Sequence, residues 1–207
     1  SLPFSENDVI IRNTDKIVFI TLNRSESMND LNNKMIEKII EAIDPQKSLI
    51  IDSTGDHLSM GWTSNESKSD TIENVYHIYG KLMDKMSEVT QPIVTICKGA
   101  VFGGGMIFPC MSDIVIADNN ATFSFYETNF KQIPFILTKA AQNRIKNSQI
   151  MKMFLIEKEA EVNEARNMEL VDIIVNSDKL DNEKKSVIRR INTLDSSVLK
   201  ITKENIK

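Results

Sequence analysis

The stretch PIVTICKGAVFGGGMIFPCMSDIVIADNNATFSF, residues 92–125, places three consecutive glycines between an apolar strand and a short helix-like run. Glycine weakens regular structure, because it loses more conformational freedom on folding than any other residue. The glycines at 103–105 therefore indicate that another group approaches the backbone closely there. Two further apolar strands, DIVIA and ATFSF, follow within the same stretch, so this segment alone predicts strands that alternate with helical turns.

The flanking sequence continues the alternation of strands and helices. Apolar residues at helical spacing predict a helix over residues 32–43, and β-branched runs predict a hairpin from residues 8–12 and 17–22. The other predicted elements are a strand at 48–52, a polar loop at 63–72, helices near 73–89, 136–146 and 147–157, a capped helical turn at 162–168, a strand at 170–175 and a helical region at 179–205. The pattern favours an α/β fold with short crossover connections.

Composition and charge exclude several classes of protein. The chain has 207 residues, of which 41% are hydrophobic and 26% are charged, as in an ordinary globular domain. Its net charge of −4 gives no support for nucleic-acid binding, and no apolar run approaches the roughly 20 residues that span a bilayer. The N-terminal SLPFSENDVI lacks the basic and apolar regions of an export signal. Two cysteines, Cys97 and Cys110, are interpreted as buried thiols. We expect a cytoplasmic protein without nucleic-acid or membrane partners.

Four interpretations of the glycine-rich turn follow from the residues alone. Gly99 and Gly104 fit the start of a phosphate-binding loop, but Gly105 stands where that loop carries lysine, and no Ser or Thr follows to hold magnesium. The spacing also fails the dinucleotide-binding pattern. A backbone N–H at a helix N-terminus can instead stabilise a developing enolate oxygen, and glycine lets the acyl group reach it. A closely packed turn that binds no ligand remains the alternative.

Four segments of the chain decide between these interpretations when they are taken together. They read ITLNRSESMNDLNN at 20–33, LIIDSTGDHLSMGWTSNE at 49–66, the glycine-containing stretch at 92–125, and EARNMELVDIIV at 164–175. In this order they resemble the signature segments of the enoyl-CoA hydratase/isomerase (crotonase) superfamily, with Glu169 where the family carries glycine. The resemblance covers about residues 8–176.

The resemblance implies a crotonase-like α/β fold, in which ββα units wind into a superhelical spiral. It implies a core domain over residues 1–176 and a short C-terminal helical region over 177–207. Family members associate through that region, so a homotrimer or a hexamer is expected. No cofactor is expected, because the acyl group arrives as a thioester of CoA or of the phosphopantetheine on an acyl carrier protein. No metal is expected either, since no cluster of His, Cys, Asp and Glu has metal-ligand spacing.

By position, the resemblance implies an oxyanion hole made by the backbone N–H groups of Trp62 and Gly104. Such donors stabilise the charge that develops on the thioester oxygen as an enolate forms. The family carries a small residue at the position of Trp62, so the indole is expected to narrow or reshape the acyl pocket, with ordinary core packing as the alternative. Further substrate-binding residues are expected at Met28, Met60, Gly61, Gly103 and Tyr126.

The acid and base of the expected chemistry depend on one carboxylate. Hydratases of this family use two glutamates, but Ile107 occupies the first position, on the helix after the glycines. At the second, ATFSFYE at 121–127 resembles the family pattern A-x-F-x-x-P-E, which makes Glu127 the expected catalytic residue, preceded by Tyr126 in place of proline. One carboxylate can move a proton between carbon atoms, or remove an α-proton and then protonate a departing hydroxyl.

Two subgroups of the family share this single-glutamate pattern. The chain looks most like the dehydratase, a lyase, of polyketide β-branching cassettes, which removes water from a 3-hydroxy-3-methylglutaryl group on an acyl carrier protein. The tail of about thirty residues after LVDIIV and the absent helix glutamate support this choice. The Δ3,Δ2-enoyl-CoA isomerases are the first alternative, and a non-catalytic crotonase-like subunit is another.

A decarboxylase of the same cassette is a further alternative, but that subgroup relies on Lys and His chemistry. Only His57 and His77 are present, and neither has a nucleophile beside it in sequence. An acidic carrier protein would need a basic docking surface, despite the negative net charge. Two clusters are candidates for that surface, and solvated helix faces are the simpler explanation for both. The clusters are Lys139, Arg144, Lys146 and Lys152, and Lys184, Lys185, Arg189 and Arg190.

Overall fold

The computed structural model describes residues 4–62, 72–125, 135–156 and 159–206. Within these residues the strands form two sheets. The strands are β1 (Val9–Asn13), β2 (Ile17–Leu22), β3 (Ser48–Ser53), β4 (Ile93–Cys97), β5 (Ala100–Phe102), β6 (Ile114–Asp118), β7 (Thr122–Ser124), β8 (Ala160–Glu161) and β9 (Ile173–Val175). The helices are α1 (Asn33–Ala42), α2 (Ile72–Ser87), α3 (Ile107–Cys110), α4 (Phe135–Ala141), α5 (Asn147–Leu155), α6 (Val162–Asn167), α7 (Leu180–Thr193) and α8 (Ser196–Ile206).

The larger sheet has six strands in the order β1-β2-β3-β4-β6-β9. The hairpin of β1 and β2 is antiparallel, as the sequence predicts, and the other neighbouring strands are parallel. All five residues of β4 are buried, as are five of the six in β3. Helices cover such sheets on both faces, which is why these strands read as continuous apolar runs. No helix within the described ranges is long and apolar enough to cross a membrane.

The smaller sheet, in the order β5-β7-β8, begins where the chain turns sharply after β4. Gly99 makes this turn with a φ of +50°, and a Cβ on it would lie 2.2 Å from the Asp56 carbonyl oxygen. Both facts require glycine. The turn carries the chain out of the main sheet and into β5, which leads directly to the glycines at 103–105. β5 and β7 are parallel.

Several predicted elements are shorter than the sequence indicates. The predicted helix after the glycines is a 3-10 turn over Gly103–Met106 followed by α3. The predicted strand at 170–175 begins only at Ile173, because the N–H groups of Leu170 and Val171 bond back to Ala165 at the end of α6. Glu169, where the family has glycine, has a φ of +69°. A non-glycine residue in this conformation costs about 1 kcal/mol or more.

The predicted helical region at 179–205 consists of two helices. Lys16 ends α7, because its ammonium group donates to the carbonyl oxygens of Asn192 (3.0 Å) and Leu194 (2.9 Å). Asp195 then begins α8 by accepting the N–H of Ser197 at 2.7 Å. Hydrogen bonds from the hydroxyl and N–H of Ser197 lower the pKa of the Asp195 carboxyl. The break therefore depends on a lysine from the other end of the chain.

Polar contacts attach the two C-terminal helices to the core. Lys203 of α8 is buried and donates to the Asp113 carboxylate (2.6 Å) and to the carbonyl oxygen of Gln91 (2.8 Å). Lys184 of α7 forms a salt bridge with Asp52. A buried ammonium group is stable only when such partners compensate its desolvation. These lysines are therefore part of the fold rather than of a basic surface.

Both cysteines are buried and free, which confirms their interpretation as buried thiols. Burial raises the pKa of Cys110 to about 12. Burial also raises the pKa of Cys97, with the nearby Cys110 as a second cause. Both side chains therefore stay protonated at neutral pH, and a thiol without thiolate character is a poor nucleophile.

Candidate active site

The backbone of residues 59–62 is held on both sides. Along β5, the N–H of Ser59 donates to the carbonyl of Ala100 (3.1 Å), and the N–H of Phe102 donates to the carbonyl of Ser59 (2.9 Å). On the other side, the N–H of Leu31 donates to the carbonyl of Gly61 (2.7 Å), and Leu31 forms a parallel bridge with Trp62. Gly61 has a φ of +94°, which favours glycine. This geometry fixes the direction of the Trp62 backbone.

The turn after β5 needs glycine because neighbouring protein side chains approach its backbone closely, whether or not a ligand does so too. A Cβ on Gly104 would lie 1.9 Å from the hydroxyl oxygen of Tyr79, and one on Gly105 would lie 2.8 Å from the Cβ of Ser59. Both glycines are fully enclosed, as are Gly103 and Met106 in the same 3-10 turn. The glycines thus bring this backbone against helix α2 and against the segment that leads to Trp62.

Trp62 is buried, with 1% of its surface exposed, and its ring packs against that of Tyr79. The two rings meet edge to face, with centroids 5.8 Å apart and planes at 64°. This arrangement is favourable for aromatic pairs. The indole therefore lies in the core, against Tyr79 of α2.

The chain that leads to Glu127 leaves the smaller sheet beside the glycines. In the parallel pair of β5 and β7, Phe102 is the partner of Ser124. Phe125, the next residue, is buried and packs against Phe154 with ring centroids 5.5 Å apart. Strands that run in parallel end at the same edge of a sheet, so the glycine turn begins beside Phe125. Glu127 and Tyr126 themselves lie outside the described residues.

The remaining expected substrate-binding residues flank Trp62. The N–H of Met60 donates to the carbonyl of Met28 at 3.0 Å. Met28 is 45% exposed and has a φ of +53°, whereas Met60 is partly buried. Within the described chain, the structure therefore brings together most of the residues that the sequence selected. They are Met28, Met60, Gly61, Trp62, Gly103 and Gly104.

Sequence reasoning did not find Tyr79. It lies on α2, in a predicted helix where an aromatic residue on the apolar face indicates only core packing. Its contact with Gly104 joins residues that are 25 positions apart, and no motif in the sequence reports it. The one available signal was the helical spacing of Val75, Tyr79, Leu82 and Met86, which predicts a buried face without indicating what that face touches.

His57 has a structural role at this site. Its ring Nδ1 accepts the N–H of Ala100 at 3.0 Å, and its carbonyl oxygen accepts the hydroxyl of Ser53 (2.8 Å) and the side-chain amide of Asn29 (2.9 Å). His77 is exposed on α2. A histidine that accepts a backbone N–H orients the loop against which it lies. The arrangement gives no support to the decarboxylase alternative.

Replacing His57 by leucine is expected to lower the free energy of unfolding by about 1–3 kcal/mol, because the buried N–H of Ala100 loses its acceptor. His57→Asn should cost less, since the amide oxygen of asparagine can accept the same hydrogen bond from a similar position. Urea unfolding of both variants tests the order, and turnover of His57→Asn tests whether the imidazole has a chemical role. An inactive but stable His57→Asn would contradict the structural assignment.

Comparison with known proteins identifies the family and the fold of this chain. The model of the enoyl-CoA hydratase/isomerase family matches residues 12–207. A Mycobacterium leprae protein named as a probable enoyl-CoA hydratase is 26% identical over 210 residues, covering 96% of this chain and 80% of its own. The bacillaene synthase dehydratase PksH of Bacillus subtilis is 26% identical over 199 residues, covering 88% and 74%. An enoyl-CoA hydratase structure from Mycobacterium avium subsp. paratuberculosis has a TM-score of 0.84 at 22% identity, covering 100% of this chain and 86% of that one.

The similarity to solved structures shows that the fold, with its mixed six-stranded sheet and smaller three-stranded sheet, is that of the crotonases. The chain belongs to the enoyl-CoA hydratase/isomerase family, whose members act on acyl-CoA thioesters. The expected crotonase-like fold is therefore confirmed.

Proposed function

We propose that this enzyme dehydrates a 3-hydroxy-3-methylglutaryl-type acyl group carried as a thioester on an acyl carrier protein. The observation that carries the proposal is the parallel pairing of Phe102 with Ser124. Because of this pairing, β5 ends at the glycine turn and β7 ends towards Glu127 at the same edge of the smaller sheet. Two backbone donors at that edge, together with a carboxylate supplied by Glu127, would make a combination that suits enolate chemistry.

The thioester oxygen binds between the N–H groups of Trp62 and Gly104. Glu127 removes the α-proton, and the electron pair of that C–H bond forms an enolate whose charge the two donors stabilise. The enolate then collapses to form the Cα–Cβ double bond, and the Cβ–O bond breaks. The departing hydroxyl takes the proton back from Glu127 and leaves as water. Glu127 returns to its carboxylate form, so no other reagent is needed.

The composition of α3 supports a reaction that uses one carboxylate. Its four residues, Ile107, Phe108, Pro109 and Cys110, are all buried and none carries a charge. Hydration of an enoyl thioester is easiest with one group activating water and another protonating carbon, and this helix supplies no second acid. The similarity to PksH favours dehydration over isomerisation. The Δ3,Δ2-enoyl-CoA isomerases need only one carboxylate as well and are the second candidate.

Intact-mass spectrometry tests the proposal. Carrier protein loaded with the 3-hydroxy-3-methylglutaryl group should lose the mass of one water when it is incubated with the enzyme. An unchanged mass would overturn this substrate. The same enzyme should then be given a 3-enoyl-CoA, because isomerisation conserves mass and is detected by the new conjugated double bond. Turnover of neither thioester would leave the non-catalytic subunit as the explanation.

The structure corrects two expected docking residues, Arg144 and Lys184, and Lys184 pairs with Asp52 as described above. The guanidinium of Arg144 is bound within the chain and is not available to a carrier protein. It donates to the carbonyl oxygens of Ser112 (2.8 Å) and Glu169 (3.1 Å) and to the Asp172 carboxylate (2.7 Å). Its side chain is only 10% exposed. Charge reversal of Arg144 would therefore disrupt the fold. Lys139, Lys146 and Lys152 are exposed, and the first two are the residues that we expect to contribute to docking.

Charge reversal of Lys139 and Lys146 together is expected to raise KM for the carrier-bound substrate about tenfold, because surface charges steer an acidic partner. Turnover of the corresponding CoA thioester should stay unchanged. Lys81→Glu on α2 is the matched control, since Lys81 is also exposed. An equal effect on the carrier-bound and CoA substrates would rule out docking at this surface.

We propose, further, that the chain self-associates through α8. The outward side of α8 exposes Val198 (54%), Ile201 (56%) and Ile206 (76%). Apolar side chains exposed together in this way are unfavourable in water unless another protein surface covers them. A trimer or a pair of trimers is expected by size-exclusion chromatography with light scattering. Val198→Asp combined with Ile201→Asp should give monomers. A monomeric wild-type protein at micromolar concentration would contradict the proposal.

A further inference from the structure

Tyr79 contacts both chain segments that are expected to supply the oxyanion hole. It lies on the face of α2 that also carries Val75, Leu82 and Met86, and all four side chains are buried. Buried side chains in a closely packed core have few alternative positions. The ring of Tyr79 is therefore held by its own helix before it meets any residue of the site.

The hydroxyl end of Tyr79 meets the glycine turn. A Cβ added to Gly104 would lie 1.9 Å from the hydroxyl oxygen and 2.6 Å from the ring carbon that bears it. The oxygen thus fills the volume that a side chain at residue 104 would take, and it rests against the Gly104 backbone. A shift of the ring towards Gly104 would displace that backbone, and removal of the oxygen would leave a gap behind it.

The ring of Tyr79 meets Trp62. The centroids of the two rings are 5.8 Å apart, with the rings edge to face. The backbone before the indole is fixed independently, because the carbonyl of Gly61 accepts the N–H of Leu31 at 2.7 Å. Trp62 and Gly104 come from distant parts of the sequence, and the side chain of Tyr79, from a third part, touches both residues.

We propose that Tyr79 is a positioning residue that sets the separation and direction of the N–H groups of Trp62 and Gly104. This inference rests on the oxyanion role proposed for those two groups. Misplacement of a preorganised donor by a fraction of an ångström weakens it where charge develops. The loss falls mainly on the transition state, because the enolate oxygen carries more charge than the thioester oxygen of the bound substrate.

Tyr79→Phe tests the contact with Gly104, because it removes only the hydroxyl oxygen and keeps the ring against Trp62. Its kcat is expected to fall about tenfold while KM stays within about twofold, as for an interaction that acts in the transition state. Tyr79→Leu removes both contacts and should lower kcat by about a hundredfold. Tyr76→Phe makes the same chemical change three positions earlier on α2 and should match the wild type.

A spectroscopic readout separates positioning from a purely structural role. Acetoacetyl-CoA forms an enolate that absorbs in the near ultraviolet, and an oxyanion hole that binds it lowers the pH at which the enolate appears. The wild-type enzyme should show this lowering, Tyr79→Phe should show less of it, and Tyr76→Phe should equal the wild type. Thermal unfolding of the same samples checks that Tyr79→Phe is folded.

Each outcome is decisive. A smaller lowering in folded Tyr79→Phe, together with reduced kcat, supports the inference. Wild-type values for Tyr79→Phe in both assays overturn it while leaving the proposed function intact, and so does an effect confined to KM. If the wild type enolises acetoacetyl-CoA but turns over no acyl thioester, the proposed reaction is wrong and the variants still test Tyr79. Absence of both enolate formation and acyl-thioester turnover in the wild type overturns both proposals.

Discussion

Replacing Glu127 by glutamine is expected to lower kcat by about a thousandfold or more, because removal of a general acid–base group costs about 10²–10⁴-fold. The amide has the size of the carboxyl group but cannot accept a proton from carbon. KM should change little, since in the proposed mechanism backbone donors, and not Glu127, bind the thioester oxygen. Loss of the α-proton to D2O, followed by mass spectrometry, measures the first step directly and should disappear with the turnover.

Glu41→Gln is the matched control for this variant, because Glu41 is an exposed carboxylate at the end of α1. It should retain wild-type kcat and wild-type exchange. A Glu127→Gln enzyme that kept more than a tenth of its activity would remove Glu127 from the chemistry. Exchange without turnover in the wild type would instead retain Glu127 as the base and point to an unsuitable leaving group in the chosen substrate.

Gly104→Ala is expected to lower activity more than any other addition of a single methyl group in the described part of the site. The added Cβ would lie 1.9 Å from the hydroxyl oxygen of Tyr79, a distance that forces one of the two to move. Tyr79 is enclosed by the core, so the backbone of residue 104 should move and take its N–H with it. Loss of one oxyanion donor lowers kcat by about 10²–10³-fold, and overpacking of this kind lowers stability by about 1–3 kcal/mol.

Gly80→Ala is the control for stability, because it adds the same methyl group one residue after Tyr79 in open space, with nothing within 4 Å of the new Cβ. Alanine in a helix interior should raise the free energy of unfolding by about 0.5–1 kcal/mol relative to glycine. The double variant Gly104→Ala, Tyr79→Ala should lose less free energy of unfolding than the two single variants lose together, since the collision is removed. A Gly104→Ala enzyme with wild-type stability and kcat would refute the packing argument.

The order of strands and helices could be predicted because it depends on local patterns. The hairpin of β1 and β2, the buried strand β4 and the helix α1 follow from residue type and spacing within about ten residues. Their ends were less predictable, since they depend on distant partners. Lys16, for example, contacts the carbonyl oxygen of Leu194, 178 residues away, where α7 ends.

In the site, too, local motifs were predictable from the sequence, whereas contacts with distant residues were not. Trp62, Gly104 and Glu127 were selected from motif positions, and the structure brings the first two together. Arg144 looked like part of a basic helix face, because a sequence lists charges without their partners. Its partners are Ser112, Asp113, Glu169 and Asp172, each more than twenty residues away. The sequence already favoured a non-catalytic role for His57, but the partner of its ring, the N–H of Ala100, is known only from the structure.

By itself, the sequence determined the family, the α/β architecture, the glycine turn and the absence of a glutamate at Ile107, because each depends on residue identity and short-range spacing. Only the tertiary structure decided what the glycines pack against, which charges are internal, and that Tyr79 touches both donor segments. The physical reason is that packing contacts join residues far apart in the chain. Their energies depend on distances of a few tenths of an ångström, which no local pattern encodes.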